Sequence, residues 1–103
     1  MNRLGFDPSD FEYICALLQK KINSNSTPVM LTHLANADVQ DQVSTLTQIN
    51  RFSQLKSNNS FLRSVCNSAG VIAYPDMHFD WVRPGIALYG VSPFANKLGS
   101  DFK

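Results

Sequence analysis

The chain has 103 residues, 44% of them hydrophobic, which suffices for one modest globular domain with a buried core. Nine Lys and Arg residues against eight Asp and Glu leave a formal charge of +1 with no charged block, which disfavours nucleic acid as a partner. The widely spaced Cys15 and Cys66 indicate neither a disulfide framework nor a zinc site. The sequence contains neither a signal peptide nor a run of roughly 20 apolar residues. We therefore expect a cytoplasmic protein without membrane contact.

The first predicted element is an amphipathic helix over residues 9–22. Ser9 and Glu12 have the spacing of a capping box, and Pro8 stands just before them. Apolar side chains then recur at helical spacing, at Phe11, Ile14, Cys15, Leu18 and Ile22. A polar run at 23–27 ends this helix.

A strand and a second helix come next. Pro28 opens the apolar stretch 29–34, which has the length and continuity of a buried parallel strand and should end near His33. Asp38 can cap the second helix, which the polar run 57–60 ends. Its predicted apolar stripe consists of Val39, Val43, Leu46, Ile49 and Phe52.

The rest of the chain predicts two more strands, each followed by a short helix. Residues 61–66 form the second strand, and the turn 67–70 leads into a brief helix through Tyr74 that the following proline ends. Residues 79–82 form a third strand, and 85–88 form one more helical turn.

This alternation is typical of α/β proteins with parallel strands. Three strands do not close a barrel, and a small parallel sheet leaves backbone groups unpaired at its edges. We therefore expect the natural fold to continue beyond both ends of this sequence.

Functional groups in parallel α/β structures gather where strands end and loops lead into helices. The segments 32–35, 67–69 and 80–86 fall at such places, and 1–6 precedes the first helix. His33 lies in one of them, where it is either a satisfied structural residue or part of a site.

The other polar residues of these segments also have a structural and a functional interpretation. Arg83 cannot lose its charge, so it forms either a surface ion pair or a contact with a fixed acceptor. Ser68, Gly85 and Ile86 begin helical turns whose free N–H groups suit a phosphate. Alone, Asn67 and its neighbour would be an ordinary cap, and Gly85 part of an ordinary turn. Together they predict an anion site beside an arginine.

The same four segments resemble alanine racemases. Their sequences, MNRLGF, THLANAD, NSAG and DWVRPGIALYG, look like characteristic stretches of that family and run in order from Met1 to about Pro93. The resemblance implies a homodimeric pyridoxal phosphate enzyme that interconverts L- and D-alanine and is built on a TIM-type (β/α)8 barrel followed by a β-rich domain. Residues 1–93 would then be a segment of the barrel, roughly its later half, and 94–103 a tail towards the missing domain.

The resemblance also assigns one end of a cofactor site. Arg83 would bond the pyridine nitrogen of pyridoxal phosphate, and His33 would support that arginine. A guanidinium keeps its own proton, so the pyridine stays largely unprotonated and withdraws fewer electrons from the substrate carbanion. This limits side reactions in a racemase.

The remaining implied contacts involve the phosphate and the phenolic oxygen of the cofactor. Ser68 and the backbone at Gly85 and Ile86 would hold the phosphate. Arg3 would approach the phenolic oxygen, and Asn67 would line the same site. No metal is implied.

No catalytic residue is assigned from this sequence. The family binds its cofactor covalently through a lysine on the first barrel strand, and its opposing base is a tyrosine from the second domain of the other subunit. No lysine of this chain lies at a predicted strand end, so we expect the isolated chain to be inactive. Two alternatives stay open: a segment of a broad-specificity amino-acid racemase, and a non-catalytic fragment of a disrupted or split gene.

Overall fold

The computed structural model describes residues 4–22, 26–39, 41–56 and 61–102. Helices and strands alternate along these residues in the order α1 (Phe11–Lys21), β1 (Val29–Leu31), α2 (Gln42–Gln54), β2 (Leu62–Ser64) and α3 (Ser68–Ala73). Short 3-10 helices lie at Pro8–Asp10, Pro75–Met77, Gly85–Tyr89 and Gly99–Phe102. The predicted order of the first five elements is confirmed. No helix in the described ranges is long and apolar enough to cross a bilayer.

The two strands form a parallel sheet in which Leu31 pairs with Ser64. Both are shorter than predicted, and the third strand predicted at 79–82 is reduced to one parallel bridge between Ser64 and Trp81. Phe79 has a φ of 54°, which is incompatible with extended backbone and explains why regular pairing does not begin earlier. The chain nevertheless runs beside β2 at this bridge.

Both long helices begin at caps other than those predicted. The Asp7 carboxylate accepts the backbone N–H of Ser9 at 2.9 Å, so a 3-10 turn precedes α1 and the predicted capping box at Ser9 is wrong. Asp41, not Asp38, caps α2, because its carboxylate accepts the N–H of Ser44 at 3.1 Å. Aspartate caps a helix through N–H groups two or three residues ahead, and several aspartates in one loop leave the choice open.

The buried face of α2 also differs from the predicted apolar stripe. Its buried residues are Thr45, Ile49 and Phe52, whereas Val43 and Leu46 of the predicted stripe are exposed. Val39, also predicted in the stripe, lies in the turn before the helix. A stripe read from apolar residues alone therefore missed the threonine that faces the core.

Among the described residues, one core cluster joins α2, α3, the segments after both strands and Phe94 near the end of the chain. Its buried members are Leu34, Ala37, Ile49, Phe52, Val65, Cys66, Ala69 and Phe94. At Gly70 of α3, an added Cβ would lie 2.7 Å from Cδ1 of Leu34, a distance that real side chains do not tolerate. Close packing at this glycine therefore brings α3 against the chain that leaves β1.

The hydroxyl of Thr45 is buried and, within the described part of the chain, has no hydrogen-bond partner. Thr45→Val replaces it with a methyl group and should raise the free energy of unfolding by about 1 kcal/mol, because an unpaired buried hydroxyl is costly. The matched control is Thr47→Val, on the exposed side of the same helix, where the hydroxyl donates to the carbonyl of Val43 at 2.7 Å. We expect a change within about 0.5 kcal/mol for this control. Urea denaturation measures both, and a less stable Thr45→Val chain would contradict the prediction.

Candidate functional site

The segment that follows β1 is held by side chains from three other parts of the chain. The consecutive carbonyl groups of Thr32, His33 and Leu34 accept hydrogen bonds, in that order, from Arg83, Gln48 and Asn67. These contacts bring the carboxyl end of β1 together with α2, with the loop after β2 and with the segment after the bridge at Trp81. The predicted convergence of polar groups at the strand ends is present in the structure.

Arg83 is half-buried and bonded to neutral oxygens. Its Nη2 group donates to the carbonyl of Thr32 at 2.6 Å and to that of Val65 at 3.4 Å, and Nη1 donates to the hydroxyl of Ser64. Its backbone N–H donates to the carbonyl of Cys66 at 2.9 Å. Among the described residues no carboxylate forms an ion pair with Arg83 and no hydrogen bond uses Nε. The fixed-acceptor interpretation of Arg83 therefore fits, and the surface ion pair does not.

Ser64 is a site residue that the sequence reasoning missed. Its side chain is 2% exposed, and its hydroxyl donates to the carbonyl of Trp81 at 2.8 Å while accepting from Arg83. A hydroxyl inside an apolar strand must find partners once it is buried. That rule, applied to the serine in the predicted strand 61–66, was the available signal.

Asn67 joins the start of α3 to the end of β1. Its Oδ1 accepts the N–H of Gly70 at 2.9 Å, and its Nδ2 donates to the carbonyl of Leu34 at 3.1 Å. The same Nδ2 lies 3.4 Å from Nε2 of His33, whose side chain is exposed. Asn67 is thus a helix cap, as its structural interpretation predicted, and it lies beside the imidazole of His33 at the strand ends.

The residues predicted to hold a phosphate also lie together. Ser68 is buried, and its hydroxyl oxygen accepts the N–H of Ala87 at 3.1 Å. Gly85 has a φ of 41°, and a Cβ added there would lie 3.6 Å from that oxygen. The serine hydroxyl therefore faces the first turn of the 3-10 helix that contains Gly85 and Ile86. Gly85 adopts a left-handed conformation that other residues rarely adopt.

Arg3, also predicted to contact the cofactor, lies outside the described residues. In the ranges that the structure does describe, no group of three His, Cys, Asp or Glu side chains could hold a metal ion.

Cys66 is buried directly before Asn67 in the chain. Burial raises the pKa of its thiol, and the positive charge of Arg83 opposes that shift only in part. The Sγ atom donates to the carbonyl of Met77 at 3.2 Å. The neutral thiol is therefore the favoured form in the folded chain.

We expect this thiol to resist alkylation at pH 7, because only the thiolate is nucleophilic and the side chain is buried. Because folding raises the pKa of Cys66, the stability contributed by the neutral thiol is complete below its usual pKa of 9.0 and is lost as the pH rises through the folded value. Iodoacetamide labelling in a Cys15→Ser background, followed by peptide mass spectrometry, measures the reaction. Labelling as fast as in urea-unfolded chain would refute the assignment.

The family model for the N-terminal domain of alanine racemases matches residues 1–93. The chain is 41% identical over 102 residues to the alanine racemase of Aeromonas hydrophila and 43% identical over 101 residues to that of Shewanella amazonensis. These matches cover 99% and 98% of this chain but 29% and 28% of the relatives. The chain therefore belongs to the alanine racemase N-terminal domain family, and it spans under a third of the length of these relatives.

Solved structures agree with this assignment. The alanine racemase of Acinetobacter baumannii matches with a TM-score of 0.80 at 41% identity, over 99% of this chain and 28% of that one. The Bartonella henselae alanine racemase with covalently bound pyridoxal phosphate matches with a TM-score of 0.74 at 33% identity, over 90% of this chain and 26% of that one. The N-terminal domain of such enzymes is a TIM-type barrel, and this chain has the helices and small parallel sheet of a part of it.

Proposed function

We propose that this chain is roughly the later half of the barrel domain of an alanine racemase and supplies part of its pyridoxal phosphate site. Residues 1–93 would be the barrel segment, and 94–103 would lead towards the second domain. In the complete homodimer the reaction would interconvert L- and D-alanine. The observation that carries this proposal is the guanidinium of Arg83, which the hydroxyl of Ser64 and the carbonyl of Thr32 hold at the strand ends.

The surroundings of Arg83 fit the nitrogen end of the cofactor. Its contacts with Ser64 and Thr32 fix the guanidinium without neutralising it, and its Nε–H is not used by any described hydrogen bond. Pyridoxal phosphate, when bound, supplies an electron sink for the substrate α-carbon. A permanently protonated arginine donates to the pyridine nitrogen without transferring its proton, which weakens that sink. His33, placed by Asn67, would support this arrangement.

Ser68 and the 3-10 helix fit the phosphate end. Because the Oγ atom of Ser68 accepts the N–H of Ala87, its own O–H proton remains available to a phosphate oxygen. The first N–H groups of a helix, here those of Gly85 and Ile86, have no acceptor within the helix. Arg3 would bind at the phenolic oxygen and Asn67 would line the same site.

A chimeric racemase tests the proposal. The whole chain replaces the segment that it matches in the Acinetobacter baumannii enzyme, so that the host supplies the other parts of the barrel and the second domain. We expect no turnover from the isolated chain with added pyridoxal phosphate, because it lacks a recognisable lysine and opposing base. The chimera should produce D-alanine in a coupled assay.

Arg83→Ala in the chimera should lower kcat/KM about a hundredfold, the usual effect of losing a preorganised donor. Turnover by the isolated chain would overturn the assignment of the catalytic groups to other segments. A folded chimera that binds no pyridoxal phosphate would instead favour the non-catalytic fragment.

The phosphate end is tested by Ser68→Ala and Gly85→Ala in the chimera. Removing the hydroxyl should weaken pyridoxal phosphate binding about tenfold, since hydrogen bonds to charged groups are strong. Gly85→Ala strains the backbone that faces Ser68 and should also weaken binding. The control is Gly90→Ala, which has a φ of 73° and no atom within 4 Å of the added Cβ. It should cost similar stability but leave the dissociation constant unchanged. Equal affinity of Ser68→Ala and wild type in a fluorescence titration would remove Ser68 from the site.

A further inference from the structure

Gln48 of α2 makes three hydrogen bonds to the segment that follows β1. Its Oε1 accepts the N–H of Ala35 at 3.1 Å. Its Nε2 donates to the carbonyl of His33 at 2.7 Å and to the hydroxyl of Thr32 at 3.1 Å. Both ends of one planar amide are therefore used, and they bond to three residues within four positions of the chain.

The same segment holds the guanidinium of the site. The carbonyl of Thr32 that accepts from Arg83 lies directly before the His33 peptide that Gln48 binds. Adjacent peptide groups are linked by only two soft torsions, so fixing one constrains the other. A rotation of the Thr32 carbonyl would remove the acceptor nearest to Nη2.

The helix that carries Gln48 is packed against the core. The next residue, Ile49, is buried in the core, and so is Phe52 one turn further on. Gln48 is half-buried at the edge of that core, where water competes less for its amide. Gln48 thus bonds the segment after β1 to a helix packed in the core, in addition to the direct packing of Leu34 in that core.

We propose that Gln48 is a positioning residue that fixes the Thr32 carbonyl and, through it, the Arg83 guanidinium. Its three described hydrogen bonds all go to protein atoms of this chain. The expected effect of Gln48 on pyridoxal phosphate affinity rests on the proposed function. Its expected effect on the geometry of the segment after β1 does not. The two parts are therefore tested separately.

Amide hydrogen exchange in the 103-residue chain tests the geometry without cofactor. Ala35 is exposed, and the carbonyl oxygen of the Gln48 side chain is the described acceptor of its N–H. Gln48→Met keeps the length of the side chain but removes donor and acceptor, so exchange at Ala35 should become roughly three- to tenfold faster. Gln48→Glu keeps an acceptor for the Ala35 N–H but loses the donor to the carbonyl of His33, so exchange at Ala35 should stay faster than in wild type. Equal rates at Ala35 in wild type and Gln48→Met overturn the proposal, whatever the cofactor does.

Cofactor affinity in the chimera tests the consequence for Arg83. Gln48→Met should weaken pyridoxal phosphate binding about fivefold, the scale of one or two net hydrogen bonds. Ile49→Val, a neighbouring core substitution with a comparable stability loss, is the matched control and should leave the affinity unchanged. Equal losses in both variants, or none in Gln48→Met, would show that Gln48 acts only on stability and would overturn the positioning role. If the wild-type chimera itself binds no cofactor, the proposed function fails while the exchange result still decides the geometry.

Discussion

The guanidinium of Arg83 is the contact on which the arrangement of the strand ends depends. It donates to the carbonyl of Thr32, directly after β1, and to the hydroxyl of Ser64 in β2. The backbone N–H of Arg83 donates to the carbonyl of Cys66. Arginine suits this task because its planar group presents several donors in fixed directions. It also keeps its charge at every physiological pH, so the three segments are joined around a cation rather than around a neutral core.

Bonding a half-buried cation to neutral oxygens has a chemical consequence. A carboxylate partner would give a tighter local pair, but it would also cancel the charge that a ligand could use. Carbonyl and hydroxyl oxygens satisfy individual N–H groups and leave the charge uncompensated. The pKa of the neighbouring Cys66 thiol responds to both effects, since burial raises it while Arg83 opposes the rise. Arg83 therefore keeps an uncompensated charge at the strand ends, which is the property that the proposed contact with the cofactor requires.

Much of the fold was predictable because its signals are local. Period-3.6 and continuous apolar patterns gave α1, β1, α2 and β2 in the right order, and the turn 67–70 gave α3. The caps at Asp7 and Asp41 were missed, since local rules allow several neighbouring polar residues to cap. The third strand was overestimated because apolar and aromatic residues around Phe79 suggest extended backbone, whereas the φ of Phe79 is positive, which an apolar pattern does not indicate. Its ring packs edge-on against Phe52 with the centroids 6.1 Å apart.

The sequence predicted which strand ends meet at the candidate site. It did not predict which atoms form hydrogen bonds there. The rule that function gathers at the carboxyl ends of parallel strands pointed to His33, Asn67, Ser68 and Arg83. Gln48 was missed because a polar residue inside a helix pattern gives no local sign of a distant partner. For Ser64, the rule that a buried hydroxyl needs partners was available, but it does not say that those partners are Trp81 and Arg83. The hydrogen bonds that matter join residues up to 51 positions apart, and only the packed structure specifies them.

The polar contacts of the candidate site are made within this chain, whereas apolar side chains of the sheet are left exposed. The hydrogen bonds of Arg83, Asn67 and Ser68 join residues within this chain, so its local geometry is specified by these 103 residues. The strand residues Val29 and Leu31 are instead exposed, and so is Trp81 at the parallel bridge. Both faces of a parallel sheet are normally covered, and relatives of which this chain spans under a third contain further chain that could cover them. Donor geometry is therefore encoded within this chain, whereas these exposed apolar side chains gain no stabilisation from burial in it.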